Sequence, residues 1–150
     1  MNGANEVSAL YAALLREDAV LAPPGLLDAP SCGADGENPA CGDHVRVEAR
    51  VEGGRIRQIG YAGDCCVVAR ASAGLMRRVL LGATPGQSRA LAESLRAGLR
   101  DEAGTLPEPL QLLAPLQNLP ARHKCALLPW ATLQAALRGE DAASSEELPT

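Results

Sequence analysis

Alternation of apolar and polar positions is sharpest from His44 onward, where Val45, Val47, Ala49 and Val51 fall on one side and His44, Arg46, Glu48 and Arg50 on the other. A period of two belongs to a half-buried strand. After Gly53-Gly54, the segment Arg55 to Tyr61 has Ile56 and Ile59 out of strict phase, which calls for a bulge or for burial on both faces. Two glycines between two such segments predict a tight antiparallel hairpin.

The other periodic stretches repeat at helical spacing. Val7, Leu10, Leu14 and Val20 or Leu21 mark a helix over Glu6 to Leu21, with Asn5 as its cap and Pro23, Pro24 and Gly25 as its stop. Ala29 to Pro39, rich in Pro, Gly and Asp and holding Cys32, reads as a loop. Beyond the hairpin, Cys66 opens a helix with a buried stripe of Val68, Leu75, Met76 and Val79, small Ser72 between them, and an end near Gly82. Thr84-Pro85 is a cap followed by proline at the first helical position, and Leu91, Leu95 and Leu99 mark the buried side of the helix that follows. Between Arg100 and Pro120 the prolines Pro107, Pro109, Pro115 and Pro120 interrupt the leucines, so a connection with at most one short helical turn is expected. Leu133 and Leu137 lie on a last helix whose start Pro129 constrains, which sets Cys125 at or just before its N-terminus. Gly139 ends that helix, and the acidic tail over 139–150 is expected to stay disordered.

Composition bounds the function classes. A chain of 150 residues with 47% hydrophobic content fits one globular domain, here residues 1–138. A formal charge of -4 and 2% aromatics leave no basic surface for a phosphate backbone and few rings for bases to stack on, so no nucleic-acid partner is expected. No apolar run approaches a bilayer span and no basic, then apolar leader precedes Glu6, so no membrane partner is expected and the location is read as cytoplasmic. In that compartment five cysteines are ligands or reactive thiols sooner than disulfides.

Placement carries the chemistry further. A Cys-x-Asp turn before a strand, a cysteine opening one helix and another opening a second can converge as three sulfurs and one oxygen around tetrahedral Zn²⁺ or iron, with Cys41, Asp43, Cys66 and Cys125 as the candidates. A helix N-terminus favours thiolate over thiol, and both Cys66 and Cys125 are expected to gain from it. Equally, Cys66 and Cys125 can be small buried hydrophobes and Cys41 the filler of a turn; no Cys-x-x-Cys pair occurs, and spacing does not choose. His44 and His123 are left out of the site, and Trp130 is assigned to the core.

Three runs in order resemble the U-type iron-sulfur cluster assembly proteins, the IscU and NifU N-terminal-like family. They are Asn38-Pro39-Ala40-Cys41-Gly42-Asp43, then Tyr61 to Met76 with Cys66 and Ala71-Ser72-Ala73 inside it, then Arg122-His123-Lys124-Cys125-Ala126-Leu127-Leu128-Pro129-Trp130. The likeness spans roughly Tyr11 to Leu137 and is greatest to the SufU branch, which is similar in having arginine three places before the third cysteine, lysine directly before it and a long insertion after the second. The family's His-Tyr and Asn-Pro-Arg-Asn run is missing, Cys65 stands where the family has glycine, Ala69 where it usually has serine, and Cys32 is extra.

This resemblance implies an α+β fold, a small antiparallel β-sheet packed by helices, with a metal site of Cys41, Asp43, Cys66 and Cys125. It implies zinc, or alternatively iron or a [2Fe-2S] cluster, and a PLP-dependent cysteine desulfurase of the SufS-like kind as partner, with downstream cluster-assembly proteins beyond it. SufU-like proteins accept persulfide sulfur as zinc-dependent sulfurtransferases, and IscU-like ones serve as non-enzymatic assembly scaffolds. Resemblance to the former makes Cys41 the acceptor, a role its Pro- and Gly-bounded turn suits by exposure, whereas resemblance to the latter would favour Cys125. Arg122, beside a thiolate, would favour the negative charge of a persulfide. The other function class is a structural zinc-binding interaction domain whose four ligands close the metal and do no sulfur chemistry.

Overall fold

The computed structural model describes residues 25–101 and 105–144. The predicted helix over Glu6 to Leu21 lies outside them. The alternating segment forms strand β2, Asp43–Glu52, which returns through Gly53-Gly54 as β3, Arg55–Asp64. Both turn glycines have positive φ, 61° and 75°, as a two-residue hairpin turn demands. The register slips once, because Arg50 pairs with Gln58 while Val51 pairs with Ile56; the extra Arg57 is the bulge that puts both Ile56 and Ile59 into the core.

The stretch read as a loop before Pro39 holds a further strand, β1, Cys32–Asn38, antiparallel to β2. Its alternation is real but written in small residues: Ala34, Gly36 and Asn38 face inward, whereas Asp35 and Glu37 face solvent. Glycine and acid content masked a period of two. Small residues are required because β1 lies directly under a helix, and a Cβ on Gly36 would stand 1.9 Å from Thr132 Oγ1.

Helix α1, Val67–Leu80, follows β3 and buries Val68, Leu75, Met76 and Leu80 together with an unbroken run of small residues from Ala71 to Gly74. Helix α2, Pro85–Arg100, opens with a full capping box, in which Thr84 Oγ1 accepts from the Gln87 N–H and Gln87 Oε1 accepts from the Thr84 N–H. The proline-rich connection contains a 3₁₀ helix, Glu108–Asn118, longer than the single turn expected. Leu110, Leu113 and Leu116 recur every three residues, the period of a 3₁₀ helix, and are buried while Pro109 and Pro115 are exposed.

A short 3₁₀ turn, Pro120–Arg122, leads into helix α3, His123–Leu137. Pro129 does not mark the start of this helix but is its seventh residue; its missing N–H deprives the Cys125 carbonyl of a helical donor. Beside it, Ser72 Oγ donates to the Ala126 carbonyl at 2.6 Å and accepts from Trp130 Nε1 at 2.9 Å, a buried chain that locks α1 to α3. Gly139, with φ 81°, turns the chain back, and Ala142–Ser144 in the tail expected to be disordered forms β4, parallel to β1, with Ala143 against Ala34, Ala135 and Ala136.

Among the described residues the sheet is four-stranded, in the order β3-β2-β1-β4, and mixed, since the antiparallel hairpin expected from sequence gains a third antiparallel strand, β1, and one short parallel edge, β4. The helices cover one face. The other carries Arg46 between Asp35 and Glu48, with Glu48 buried beneath the Leu27 N–H, which donates to it at 3.0 Å. No described helix is long and apolar enough to cross a membrane.

Gly36→Ala forces α3 away from β1, and overpacking of this kind costs about 1–3 kcal/mol. Chemical denaturation should show that loss with little change in slope, and unchanged stability would mean that the two elements are not in close contact.

Candidate metal centre

The Cys-x-Asp turn is the tip of the β1–β2 hairpin. Asn38 and Asp43 are its last paired residues, and Pro39 to Gly42 form the loop. The Asn38 carbonyl accepts from the Cys41 and Gly42 N–H groups at 3.2 and 2.9 Å, and Gly42 closes the turn at φ 75°. Cys41 is thereby exposed while Asp43, two residues on and at the start of β2, is buried.

Asp43 reaches across to α1. Its Oδ1 accepts from the Cys66 N–H at 2.8 Å, and its Oδ2 lies 3.0 Å from Cys41 Sγ and 3.5 Å from Cys66 Sγ. Cys66 is the residue capping α1 and remains half-buried. Cys125, the third residue of α3, comes from the opposite side with its sulfur 3.6 Å from Cys41 Sγ. The donor atoms of Cys41, Asp43 and Cys125 lie within 4.8 Å of one another, and Cys66, outside that group of three, completes a ring through its sulfur 3.5 Å from Asp43 Oδ2. Asn38 Nδ2 sits at its edge, 2.9 Å from Cys41 Sγ and 3.7 Å from Cys125 Sγ.

The thiols divide sharply in acidity. Cys66 is lowered to about 7 because Cys125 donates to its sulfur and the Ala69 amide at the start of α1 assists, despite burial and the Asp43 charge. Cys125 does not gain from its helix start as expected; giving its hydrogen to Cys66, and then burial, push it well above the ordinary thiol range. Cys41 is raised by partial loss of water and then by the Asp43 carboxylate that accepts from it. A divalent cation bound in the ring would displace the protons of its thiol ligands.

Cys65 is half-buried, and burial, then the charges of Asp43 and Cys66, push it up to about 12. Cys32, on β1, has its sulfur 3.8 Å from the Ala49 carbonyl and packs against the core. His123 spends Nε2 on the Leu116 carbonyl at 2.7 Å, and His44 is exposed beside Asp35, so neither joins the ring. Arg122 is half-buried at the start of α3, three residues ahead of Cys125. Asn38 has no role predicted from sequence, although an Asn before Pro, able to bond its own turn, is a signal for one.

The family pattern of the NifU-like N terminal domain matches residues 23–139, which contain the whole ring. The chain belongs to this family. Among NifU-like relatives, an iron-sulfur cluster assembly scaffold protein IscU of Thermotoga maritima is 33% identical over 117 residues, 76% of this chain and 82% of that protein. A zinc-dependent sulfurtransferase SufU of Bacillus subtilis is 26% identical over 111 residues, 71% of this chain and 75% of that protein. The crystal structure of a nitrogen-fixing NifU-like protein (N-terminal) from Brucella abortus superposes with a TM-score of 0.76 at 23% identity, covering 91% of this chain and 94% of that one, and shares the α+β fold. Family membership and donor set together support a metal cofactor. Three sulfurs and one carboxylate oxygen, brought from a hairpin tip and two helix starts, suit a tetrahedral ion that tolerates soft and hard ligands together.

If Cys66 rather than Cys65 is the ligand, Cys66→Ser abolishes bound metal and lowers thermal stability, because a metal joining three elements stabilises the folded state. Cys65→Ser keeps both. Metal analysis beside thermal melting of the two variants decides, and full occupancy in Cys66→Ser would transfer the role to its neighbour.

Proposed function

We propose that this NifU-like chain is an iron-sulfur cluster biogenesis protein that accepts persulfide sulfur from a cysteine desulfurase at Cys41. One observation carries the reading: within the ring, Cys41 alone is exposed, on a loop, whereas Cys66 and Cys125 are held by helices whose apolar faces pack into the core. A loop residue leaves and returns at lower cost than a helical one.

Cys66, Cys125 and Asp43 would hold the metal, with Cys41 completing the set. Zinc fits the SufU-like features, and iron or a [2Fe-2S] cluster is the cargo of the related assembly role. When bound, the metal supplies charge that keeps its thiolates ionised. Transfer itself is thiol chemistry. The Cys41 thiolate attacks the outer sulfur of the partner's persulfide, one S–S bond forms as the partner's S–S bond breaks, and the partner leaves as a thiolate. Asp43, 3.0 Å from Cys41 Sγ, would stay with the metal, and the Cys41 proton would be lost to solvent as the metal binds. Arg122 is the cation assigned to the charge of the new persulfide. The partner implied is a PLP-dependent, SufS-like desulfurase, downstream cluster-assembly proteins would take the sulfur onward, and a reducing compartment, the cytoplasm, would preserve such thiols.

Incubation with a desulfurase and cysteine, followed by mass spectrometry, should find one added sulfur on Cys41 and none in Cys41→Ala. Persulfide that persists in Cys41→Ala and vanishes in Cys125→Ala would make Cys125 the acceptor. Thiols that stay unmodified while desulfurase turnover is unchanged would favour a structural zinc domain.

A further inference from the structure

Asn38 is the last residue of β1 and is 2% exposed. The inward alternation of Ala34, Gly36 and Asn38 carries its side chain under α3, toward the ring. Its Oδ1 accepts from the Ala40 N–H at 3.3 Å. That amide can only donate, so it fixes which end of the Asn38 side chain is oxygen and turns the NH₂ group toward sulfur. Two hydrogens are available there, and two sulfurs lie within reach, Cys41 at 2.9 Å and Cys125 at 3.7 Å. These are also the two sulfurs that face one another across 3.6 Å, where negative charge from both would accumulate.

We propose that Asn38 is a positioning residue of the site, its buried amide donating to Cys41 and Cys125 so as to hold the mobile sulfur beside the fixed one and stabilise the charge they carry toward a metal or a persulfide. The inference rests on the proposed reading of the ring as a sulfur and metal site. A neutral amide suits the task. It offers donors to sulfur without competing as a ligand for a cation, and it keeps Cys41 directed at the ring while its loop gives it freedom. Partners of this kind, outside the ligand set, commonly govern metal affinity by 10- to 100-fold.

The substitution Asn38→Asp separates this role from that of the turn. An aspartate keeps an oxygen for the Ala40 N–H and nearly the same volume, but presents an acceptor and a charge where the donor stood; Asn38→Ala removes both functions. Zn²⁺ affinity, measured by competition with a chromophoric chelator, should fall about 10- to 100-fold in Asn38→Asp. The sulfur-to-metal charge-transfer band of the Co²⁺-substituted protein should move, while circular dichroism of the metal-free protein matches the parent. Parental Zn²⁺ affinity and an unmoved Co²⁺ band in both variants would overturn the role of Asn38 alone. A parent chain that binds neither ion through sulfur would overturn the reading of the site, and the inference with it. Loss of folded structure in both metal-free variants would make Asn38 a residue of the turn only and would overturn the proposal as well.

Discussion

The carboxylate of Asp43 is the constraint on which the site depends. A buried carboxylate needs partners, and this one takes them from two elements: the N–H of Cys66 at the start of α1 and the sulfur of Cys41 at the hairpin tip. Satisfying it fixes the position of the hairpin against the helix. The residue after that hairpin turn is therefore both a strand start and a tie between layers, and it presents the same oxygen to two thiols. Its charge works against ionisation of Cys41 and Cys65, and Cys66 escapes only through the hydrogen of Cys125 and the start of α1. A cation placed in the ring reverses that balance, which is the physical reason a metal belongs there.

The third side of the ring is held by packing. Cys125 lies within the first turn of α3, and α3 is registered against α1 by Ser72, which bridges the Ala126 carbonyl and the Trp130 indole. It is registered against β1 by the contact of Gly36 with Thr132. Neither contact includes a ligand, yet each sets where a ligand stands. Small residues recur at both contacts, the run from Ala71 to Gly74 in α1 and Gly36 in β1, because the backbones must approach closely for the sulfurs to meet.

Much of this was legible in the chain. The hairpin of β2 and β3, its bulge, the start of α1 at Cys66 and the capping box of Thr84 all follow from local rules that the tertiary structure respects. Cys41, Asp43, Cys66 and Cys125 could be named as candidates from a turn and two helix starts, but spacing did not choose between ligands and buried thiols; the structure brings Cys41, Asp43 and Cys125 together, with Cys66 beside Asp43. What failed did so for identifiable reasons. Strand β1 was hidden by glycine, which the close approach of α3 requires at Gly36, and by the acidic residues on its solvent face. The 3₁₀ helix was hidden by prolines that sit on its exposed side while leucines repeat at three. Pro129 was read as constraining the start of the last helix, although it stands inside α3 as its seventh residue. The acidity of Cys125 depended on a neighbour 59 positions earlier in the chain, which no local pattern reports.

X-ray absorption at the metal edge of protein purified without oxygen tests the central claim most directly, since it counts the donors themselves. Three sulfurs at about 2.3 Å and one oxygen at about 2.0 Å around a single zinc ion are predicted, from Cys41, Cys66, Cys125 and Asp43. A shell of four sulfurs would put Cys65 in place of Asp43, and a shell of oxygen and nitrogen alone would contradict the site.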